Sequence, residues 1–183
     1  DDNTPDAIDL QGFHAATIKE IAAEAGTSQG LLYRYFESKS DLVVALVKRY
    51  VKEVHAAVEQ AETLGQAVEA ALWLPAGASD GRAQGALFVE VMAEALRNER
   101  VADVVRTAEV QVGVALADRV QTAQRSGEVA PDLDPDAVAE VLLALGDGLA
   151  LRAALSDELD PSGLRPTLDV LLTRFLLQAP PPA

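Results

Sequence analysis

The 183-residue sequence contains no cysteine, one methionine, one tryptophan and two histidines. The absence of cysteine excludes disulfides and thiolate metal ligands, and it fits a cytoplasmic protein. His14 and His55 belong to different predicted elements, so they do not form a metal site of recognisable spacing. The sequence has no phosphate-binding P-loop, GxSxG or HExxH motif. We therefore expect no enzymatic activity, no metal and no cofactor.

Long hydrophobic runs are also missing. No stretch of 18 or more apolar residues occurs, so hydropathy predicts neither a transmembrane span nor a membrane partner. The first residues, Asp1-Asp2-Asn3-Thr4, lack the basic and apolar regions of a signal peptide. Aromatic residues make up only 4% of the chain, and alanine, leucine and valine dominate its apolar part. Because no strand-like alternation and no internal repeat stands out, we predict closely packed helices.

Charge is distributed unevenly along the chain, whose formal net charge is −14. Residues 10–52 contain six basic and four acidic side chains. Residues 53–183 contain nine arginines, no lysine and 21 acidic side chains, so all four lysines lie within the first 52 residues. A weakly basic head on an acidic body is typical of a protein that offers only one end to phosphate.

Residues 17–36 are predicted to form a helix-turn-helix. The apolar residues of its first helix recur at helical spacing and are Ile18, Ile21, Ala22 and Ala25. Gly26 then ends that helix, and Thr27 or Ser28 can cap the next one with its hydroxyl. The apolar face predicted for the second helix consists of Leu32, Tyr35 and Phe36. A helix-turn-helix sets its second helix in the major groove, so the partner it predicts is duplex DNA.

The rest of the chain is predicted to form further helices between capping and breaking residues. Ser38 and Asp41 form a capping box that opens a long helix over 39–62. Asp134-Pro135 opens a helix that continues to about residue 155. The remaining predicted elements are helices over 64–74, 84–98 and 100–126, a glycine-rich loop over 76–82 and a last helix from Asp160-Pro161. We predict an all-α fold with a DNA-binding domain over residues 1–50 and a helical regulatory domain over 51–183.

About thirty consecutive positions resemble a known DNA-binding signature. They include Gly12-Phe13-His14-Ala15-Ala16-Thr17-Ile18, Ile21-Ala22, Ala25-Gly26-Thr27-Ser28, Gly30, Leu32-Tyr33, Tyr35-Phe36, Ser38-Lys39 and Leu42. This pattern is similar to the TetR family of bacterial transcriptional regulators. Asp147-Gly148-Leu149-Ala150-Leu151 is similar to regulators with a BetI-like body. Before the motif, Ile8-Asp9-Leu10 leads almost directly into Gln11-Gly12-Phe13, so we expect either a truncated first helix or one from which residues are missing.

The resemblance implies which residues contact DNA. The matching positions are Thr17, Thr27, Ser28, Gln29, Gly30, Tyr33, Arg34, Tyr35 and Lys39. Gln29 lies near the start of the recognition helix, where an amide can bond adenine bidentately, and Gly30 allows close approach of the backbone. The hydroxyl groups and Lys39 can reach phosphate oxygens, whereas Arg34 can read guanine or bind phosphate. Core packing is the alternative for Tyr33 and Tyr35.

The resemblance also implies a small-molecule effector bound among the helices of the body. The residues predicted to line its cavity are Leu72, Trp73, Phe88, Val91, Met92, Val112, Leu116 and Asp147. The alternative for each apolar member is ordinary core packing; Asp147 can instead face solvent or meet an arginine. Because polar groups are scarce in this set, we predict an apolar or amphipathic effector. Glu90 and Glu94 are expected to face solvent, with Arg97 near Glu94.

The last two helices are predicted to form a two-fold four-helix dimer interface. The residues assigned to it are Leu142, Leu145, Leu149, Leu168, Leu171, Leu172 and Phe175. Helices that are apolar on most sides need more than one neighbour, which a second subunit supplies. Gly146 and Gly148 weaken their helix, so we expect close packing at the interface or space for a ligand to compensate.

Together these features predict a homodimeric, ligand-responsive regulator of the cytoplasm that represses transcription at a near-palindromic operator. Two alternatives stay open at this point. One is a DNA-binding regulator with no small-molecule effector, and the other is a helical carrier of small molecules that does not use DNA. Ligand-induced release of DNA would separate the first alternative from the prediction, and sequence-specific, salt-sensitive DNA binding would eliminate the second.

Overall fold

The computed structural model describes residues 28–73, 81–156 and 161–176. Within these ranges the chain forms seven α-helices and no strand. They are α1 (Gln29–Tyr35), α2 (Lys39–Gln60), α3 (Leu64–Trp73), α4 (Gly81–Ala95), α5 (Glu99–Ser126), α6 (Pro135–Leu155) and α7 (Pro161–Leu176). The predicted all-α class is therefore confirmed. None of the helices in the described part of the chain is long and apolar enough to cross a membrane.

Local capping chemistry sets most of the helix boundaries. The Asp41 amide donates to the Ser38 hydroxyl oxygen (3.2 Å) and the Ser38 amide donates to Asp41 Oδ2 (2.9 Å), which completes the predicted capping box of α2. Gly127 ends α5 with φ +82°, a left-handed conformation that favours glycine. Asp134 accepts from the Asp136 amide at the start of α6, directly before Pro135.

Helix α4 departs from its predicted bounds of 84–98. It begins at Gly81 and ends at Ala95, because Asn98 serves as the N-cap of α5 and the chain must turn before it. The Asn98 side chain accepts from the Arg100 amide at 3.2 Å. The predicted loop over 76–82 is accordingly shorter at its end, and residues 74–80 lie outside the described part. Helix α2 ends at Gln60 rather than at 62, since Ala61 already has an extended backbone.

The core is built mainly on α2 and α5. One face of α2 contributes Val43, Val44, Val47, Val51, Val54 and Val58. The facing residues of α5 include Val101, Val105, Ala108, Val112 and Leu116. Burial of this aliphatic surface is the main stabilising contribution in such a fold. The core therefore fixes α2, which directly follows α1, against the longest helix of the body.

Helices α4 and α6 approach closely at a glycine. A Cβ atom at Gly85 would collide with the Ala150 carbonyl oxygen and lie 2.8 Å from the Ala154 nitrogen. Only glycine fits there without a backbone shift. Polar contacts connect α7 to the rest of the described chain. Arg165 pairs with Glu69 of α3 at 2.8 Å, and the Ala130 amide donates to the Leu176 carbonyl at 3.1 Å.

Candidate nucleic-acid interface and regulatory site

Helix α1 presents an exposed polar face. Ser28 caps it by accepting from the Leu31 amide at 3.1 Å, and Thr27, the other predicted cap, lies outside the described residues. The side chains of Gln29 and Arg34 are exposed, and nothing lies within 4 Å of a Cβ built on Gly30. Contacts among the described residues thus do not occupy this surface.

Two tyrosines extend the exposed face of α1. Tyr33 is 50% exposed and Tyr35 is 73% exposed. The assignment of Tyr35 to a buried face was therefore wrong. Because α1 ends at Tyr35, no further helical turn covers its ring, whereas Phe36, just after the helix, is half-buried. The side chain of Leu32, the third residue of that predicted face, lies outside the described part.

Of three other predicted DNA contacts, the structure describes Lys39 but neither Thr17 nor Thr27. Lys39 is the first residue of α2, directly after the Ser38 cap, and it is half-buried. Thr17 and Thr27 lie outside the described residues, as does the first helix of the predicted helix-turn-helix. The described part of the interface is therefore α1 with its cap and the start of α2.

A polar cluster joins the start of α2 to the turn between α4 and α5. We call Ser40, Asp41, Glu94, Asn98 and Arg100 the corner cluster. The Asn98 amide group donates to Ser40 Oγ (2.9 Å) and to Glu94 Oε1 (3.2 Å), and the Ser40 hydroxyl donates to the same Glu94 oxygen (3.3 Å). Arg100 Nη1 lies 2.5 Å from Asp41 Oδ1. The cluster links α2, the helix that follows α1, to the turn between α4 and α5.

The corner cluster also changes the state of Asp41. The hydrogen bond from Ser38 lowers the pKa of the Asp41 carboxyl, and the Arg100 guanidinium lowers it further. Sequence reasoning missed this cluster because its two halves, on α2 and at the α4–α5 turn, are more than fifty residues apart in sequence. It placed Glu94 in solvent, but Glu94 is half-buried and engaged, although Arg97 does lie near it at 3.6 Å.

The predicted effector-binding residues fall into separate packing groups. Val112 and Leu116 are buried in the main core, with Val91 and Met92 of α4 packed against it. Leu72 is buried in a second cluster, with Val68 and Leu142. Phe88 is half-buried on α4, and the Trp73 side chain lies outside the described part. Leu116 is fully buried, so in this conformation it acts as core.

Asp147 lies near three groups that sequence reasoning did not single out, Tyr50, Glu109 and Glu140. Tyr50 is 38% exposed, yet surrounding protein desolvates its hydroxyl and raises its pKa, with Asp147 adding to the effect. Asp147 is accessible but partly desolvated, which raises the pKa of its carboxyl, and Glu140 raises it further. Desolvation also raises the pKa of Glu109, helped by Asp147 and Glu140. The surrounding protein thus partly desolvates Tyr50, Glu109 and Asp147, and we call their shared surroundings the Asp147 recess.

Two further cavities are present in the described part. One is a groove of about 670 Å³ between α2 and α5. The other, of about 410 Å³, lies between α3 and α7 and includes Leu72, Leu168 and Leu172 in its wall. Phe88, Val91 and Met92 line neither of them. In the described residues no group of three or more histidine, aspartate or glutamate side chains is arranged to hold a metal ion.

The residues predicted for the dimer interface differ in how much surface they offer. Leu142 is only 2% exposed and packs inside the subunit. Leu145, Leu149, Leu168 and Leu172 are half-buried against the same cluster. Leu171 is 46% exposed, and the Phe175 side chain lies outside the described part.

A continuous stripe on α6 is exposed instead. We call it the α6 stripe, and its residues are Val141, Ala144, Gly148, Leu151 and Leu155. The spacing of these residues places them on one side of the helix. The two glycines of α6 have different surroundings. A Cβ at Gly146 would lie 3.1 Å from Leu72 Cδ2, so close packing on α3 explains that glycine, whereas nothing within 4 Å explains Gly148.

Comparisons with known proteins agree on one family. Residues 6–46 match the family described as bacterial regulatory proteins, tetR family, and residues 60–177 match the C-terminal domain of BetI-type transcriptional repressors. The HTH-type transcriptional regulator UidR of Escherichia coli K12 is 31% identical over 142 residues, which cover 75% of this chain and 71% of the relative.

Solved structures share the fold. Salmonella enterica GusR has a TM-score of 0.69 and 28% identity, and the match covers 92% of this chain and 88% of GusR. A transcriptional regulator from Saccharomonospora viridis, solved in complex with choline, has a TM-score of 0.75 and 23% identity, and the match covers 94% and 92% of the two chains.

Proposed function

The chain belongs to the TetR family of bacterial regulatory proteins, and from this premise we propose that it is a homodimeric repressor that a small molecule releases from its operator. Members of this family are DNA-binding transcriptional regulators and not enzymes. The observation that carries the proposal is the exposed face of α1, where Gln29, Gly30, Tyr33 and Arg34 project away from the body. We assign residues 1–50 to the DNA-binding head and 51–183 to the regulatory body, and we place the protein in the cytoplasm with its operator.

The head is proposed to read DNA through α1. Gln29, the first residue of the helix, reaches base edges and bonds adenine, while Gly30 lets the backbone approach. The hydroxyls of Ser28, Tyr33 and Tyr35 bind phosphate oxygens, as do Lys39 and, by position in the motif, Thr17 and Thr27. Arg34 contributes to base or phosphate contacts from the same exposed face. A dimer with this arrangement requires an operator with two related half-sites.

Dimerisation is proposed to use the α6 stripe together with Leu171 of α7. The stripe contains three large apolar side chains, Val141, Leu151 and Leu155, that are exposed and that no described part of the chain covers. Exposed apolar surface of this kind is typical of an interface. Gly148 supports the proposal. Nothing in the described part of the subunit lies within 4 Å of a Cβ built there, but a second helix can approach closely only where the side chain is small. Leu142 supports the interface from inside the subunit rather than at its surface.

The effector is proposed to enter the body near α4, next to Phe88, Val91 and Met92, which are only half-buried. We propose an apolar or amphipathic molecule whose polar end meets the recess of Tyr50 and Asp147. Glu109 and Glu140 add negative charge to that recess, which disfavours an anionic head group there. The flexible thioether of Met92 suits a wall that adapts to its ligand.

The conformational change that releases DNA is proposed to be transmitted along α2. This helix begins beside α1 and packs along α5 through the body core. The corner cluster fixes its first turn to the α4–α5 turn, so a shift of α4 around a bound effector would reach the head. Such a change is a shift between two populated dimer shapes, and it requires that the effector prefer one of them.

Operator selection from random duplex DNA is the experiment that tests this function. The protein is incubated with the pool, retained duplexes are sequenced, and light scattering during gel filtration gives the mass of the complex. We expect a near-palindromic site bound by one dimer, with recognition helices about 34–36 Å apart in successive major grooves. Failure to enrich any sequence would overturn DNA reading, and a monomer on a single half-site would overturn the proposed assembly.

A further inference from the structure

The groove between α2 and α5 has the form of a ligand site separate from the proposed effector recess. Its volume of about 670 Å³ is within the range typical of small-molecule sites. The floor is apolar, since Val51 and Ala108 are buried and Ala56 and Val104 are half-buried. Tyr50 and Asp147 do not line it. The groove therefore offers an extended apolar surface along the seam of two helices that the core holds together.

One edge of this groove is positively charged. Lys48, Lys52 and His55 follow one another on the same side of α2, and all three line the groove. His55 Nδ1 lies 3.4 Å from Glu59 Oε2, and both side chains line the groove, so a carboxylate closes the far end of this edge. Lys48 and Lys52 are exposed, and neither forms an ion pair with another described side chain.

The opposite wall carries neutral polar groups. Thr107 and Gln111 of α5 line it, and both are exposed. The groove thus combines an apolar floor, a positively charged end and side chains that can bond a polar group. That combination matches a molecule with an apolar chain and one anionic head.

The positive edge stands out against the charge of the body. Residues 53–183 contain no lysine and have 21 acidic side chains against nine arginines. Lys48 and Lys52 are one helical turn apart, where like charges repel each other. An anion placed between them would relieve this repulsion, and the acidic body would disfavour it elsewhere.

We propose that this groove binds an amphipathic monocarboxylate, with its carboxylate between Lys48 and Lys52 and its apolar chain along Val51, Val104 and Ala108. The proposal is independent of the operator and effector proposed above, because it concerns a different surface. Dodecanoate is the probe we choose, and titrations without DNA test the groove alone.

Methyl NMR locates the probe. Dodecanoate is titrated into the full chain labelled at its valine and methionine methyl groups. We expect chemical-shift changes at Val51 and Val104 and none at Val91 and Met92, which line the proposed effector region. Changes confined to Val91 and Met92 would overturn the proposal, because the probe would then occupy the body instead of the groove.

Calorimetry tests the two lysines. Lys48→Ala combined with Lys52→Ala should weaken dodecanoate binding roughly fivefold to tenfold, the effect expected for two exposed charge pairs. Arg119→Ala combined with Arg125→Ala is the matched control, since it removes the same charge from residues that do not line the groove. Equal weakening in both variants would overturn the proposal, because net charge alone would explain it.

Chain length and salt provide an independent check of the binding mode. From octanoate to decanoate to dodecanoate, affinity should rise by about fourfold per methylene if the chain lies on an apolar floor. Affinity should also fall as salt screens the head group. The double substitution Lys48→Ala and Lys52→Ala could instead reduce operator affinity in the absence of dodecanoate and leave dodecanoate binding unchanged. In that case these lysines would bind DNA, and the proposal would be wrong.

Discussion

The Arg100 guanidinium lies 2.5 Å from the Asp41 carboxylate and joins the start of α5 to the start of α2. Asp41 also closes the capping box with Ser38, three residues after α1 ends at Tyr35. One carboxylate thus holds the first turn of α2 and links it to the body. Because Arg100 and the Ser38 hydrogen bond lower the pKa of Asp41, this carboxylate contributes stability above its ordinary pKa and loses it as the pH falls.

Arg100→Ala should therefore loosen the head without unfolding the protein. We expect operator affinity to fall roughly threefold to tenfold, the range seen for residues that couple distant parts of a protein, with little change in Tm. Fluorescence anisotropy on the selected operator measures the affinity. Arg106→Ala is the matched control, because it removes the same charge from a side chain that pairs only within α5, with Glu99 and Asp103. Equal losses in both variants would contradict a role for the pair with Asp41.

Base reading and phosphate binding are separable within the head. Gln29→Ala should relax base preference at one operator position, with about 1–3 kcal/mol of discrimination lost, because Gln29 is assigned to a base edge. Lys39→Ala should weaken all sequences alike and reduce the salt slope by about one unit, because Lys39 is assigned to phosphate. Competition binding with operator variants at several salt concentrations measures both. If each variant bound operator as the original chain does, the assignment of α1 as the recognition helix would be wrong.

The ionised carboxylate of Asp147 should lower the free energy of unfolding at neutral pH. Desolvation and Glu140 raise its pKa, so the folded state holds this proton more tightly than the unfolded state does. Stability then falls as the pH rises from the ordinary carboxyl value through the raised one. We expect Asp147→Asn to be more stable than the original chain at pH 7 by about 0.5 kcal/mol, discounted for solvent access. The gain should disappear below about pH 4, where the unfolded carboxyl is protonated too.

Urea unfolding at matched protein concentration across this pH range measures the difference for Asp147→Asn. Glu109→Gln should behave in the same way, because its pKa is raised by the same recess. Asp118→Asn on α5 controls for the general effect of losing one negative charge. A gain from Asp147→Asn that persisted unchanged at acid pH would contradict the raised pKa of the carboxyl.

Several helix limits were predictable because they depend on neighbours in sequence. The Ser38–Asp41 box, Gly127 and Asp134-Pro135 each act within four residues, and the structure places α2, α5 and α6 accordingly. The corner cluster and the Tyr50–Asp147 recess depend on helix packing across long separations, such as Ser40 with Asn98. Local periodicity carries no information about such pairs. Spacing also suggested that Tyr35 belongs to a buried face, although its position in the motif matches a DNA contact, because spacing alone does not show where a short helix ends.

Gly85 tests how closely α4 and α6 must pack. Gly85→Ala should destabilise the fold by about 2 kcal/mol, because the added methyl would meet the Ala150 carbonyl and the Ala154 nitrogen, and backbone atoms cannot rotate away. Gly65→Ala on α3 is the control, since its nearest neighbour would be Thr63 Oγ1 at 3.9 Å, and alanine there should be neutral or stabilising. Thermal unfolding of both variants measures the difference. A neutral Gly85→Ala would mean that α4 and α6 are not held this close.

A substitution at Gly148 distinguishes packing inside the subunit from packing between subunits. Nothing lies within 4 Å of a Cβ there, so Gly148→Leu should leave the fold of one subunit intact and even favour the helix. If a second α6 approaches this point, the leucine will hold it away, and dimer dissociation should become roughly thirtyfold easier or more, as at interface positions that dominate binding. Sedimentation velocity over a range of concentrations measures the dissociation constant.

Gln60→Leu is the matched control for Gly148→Leu, because it adds an exposed leucine at the end of α2, away from the α6 stripe. The control should remain dimeric. If Gly148→Leu also remained a dimer of unchanged affinity, the α6 stripe would not be the interface, and its apolar residues would require another partner. Loss of operator affinity in parallel with loss of the dimer is the expected consequence, because a single head contacts one half-site and forfeits the second.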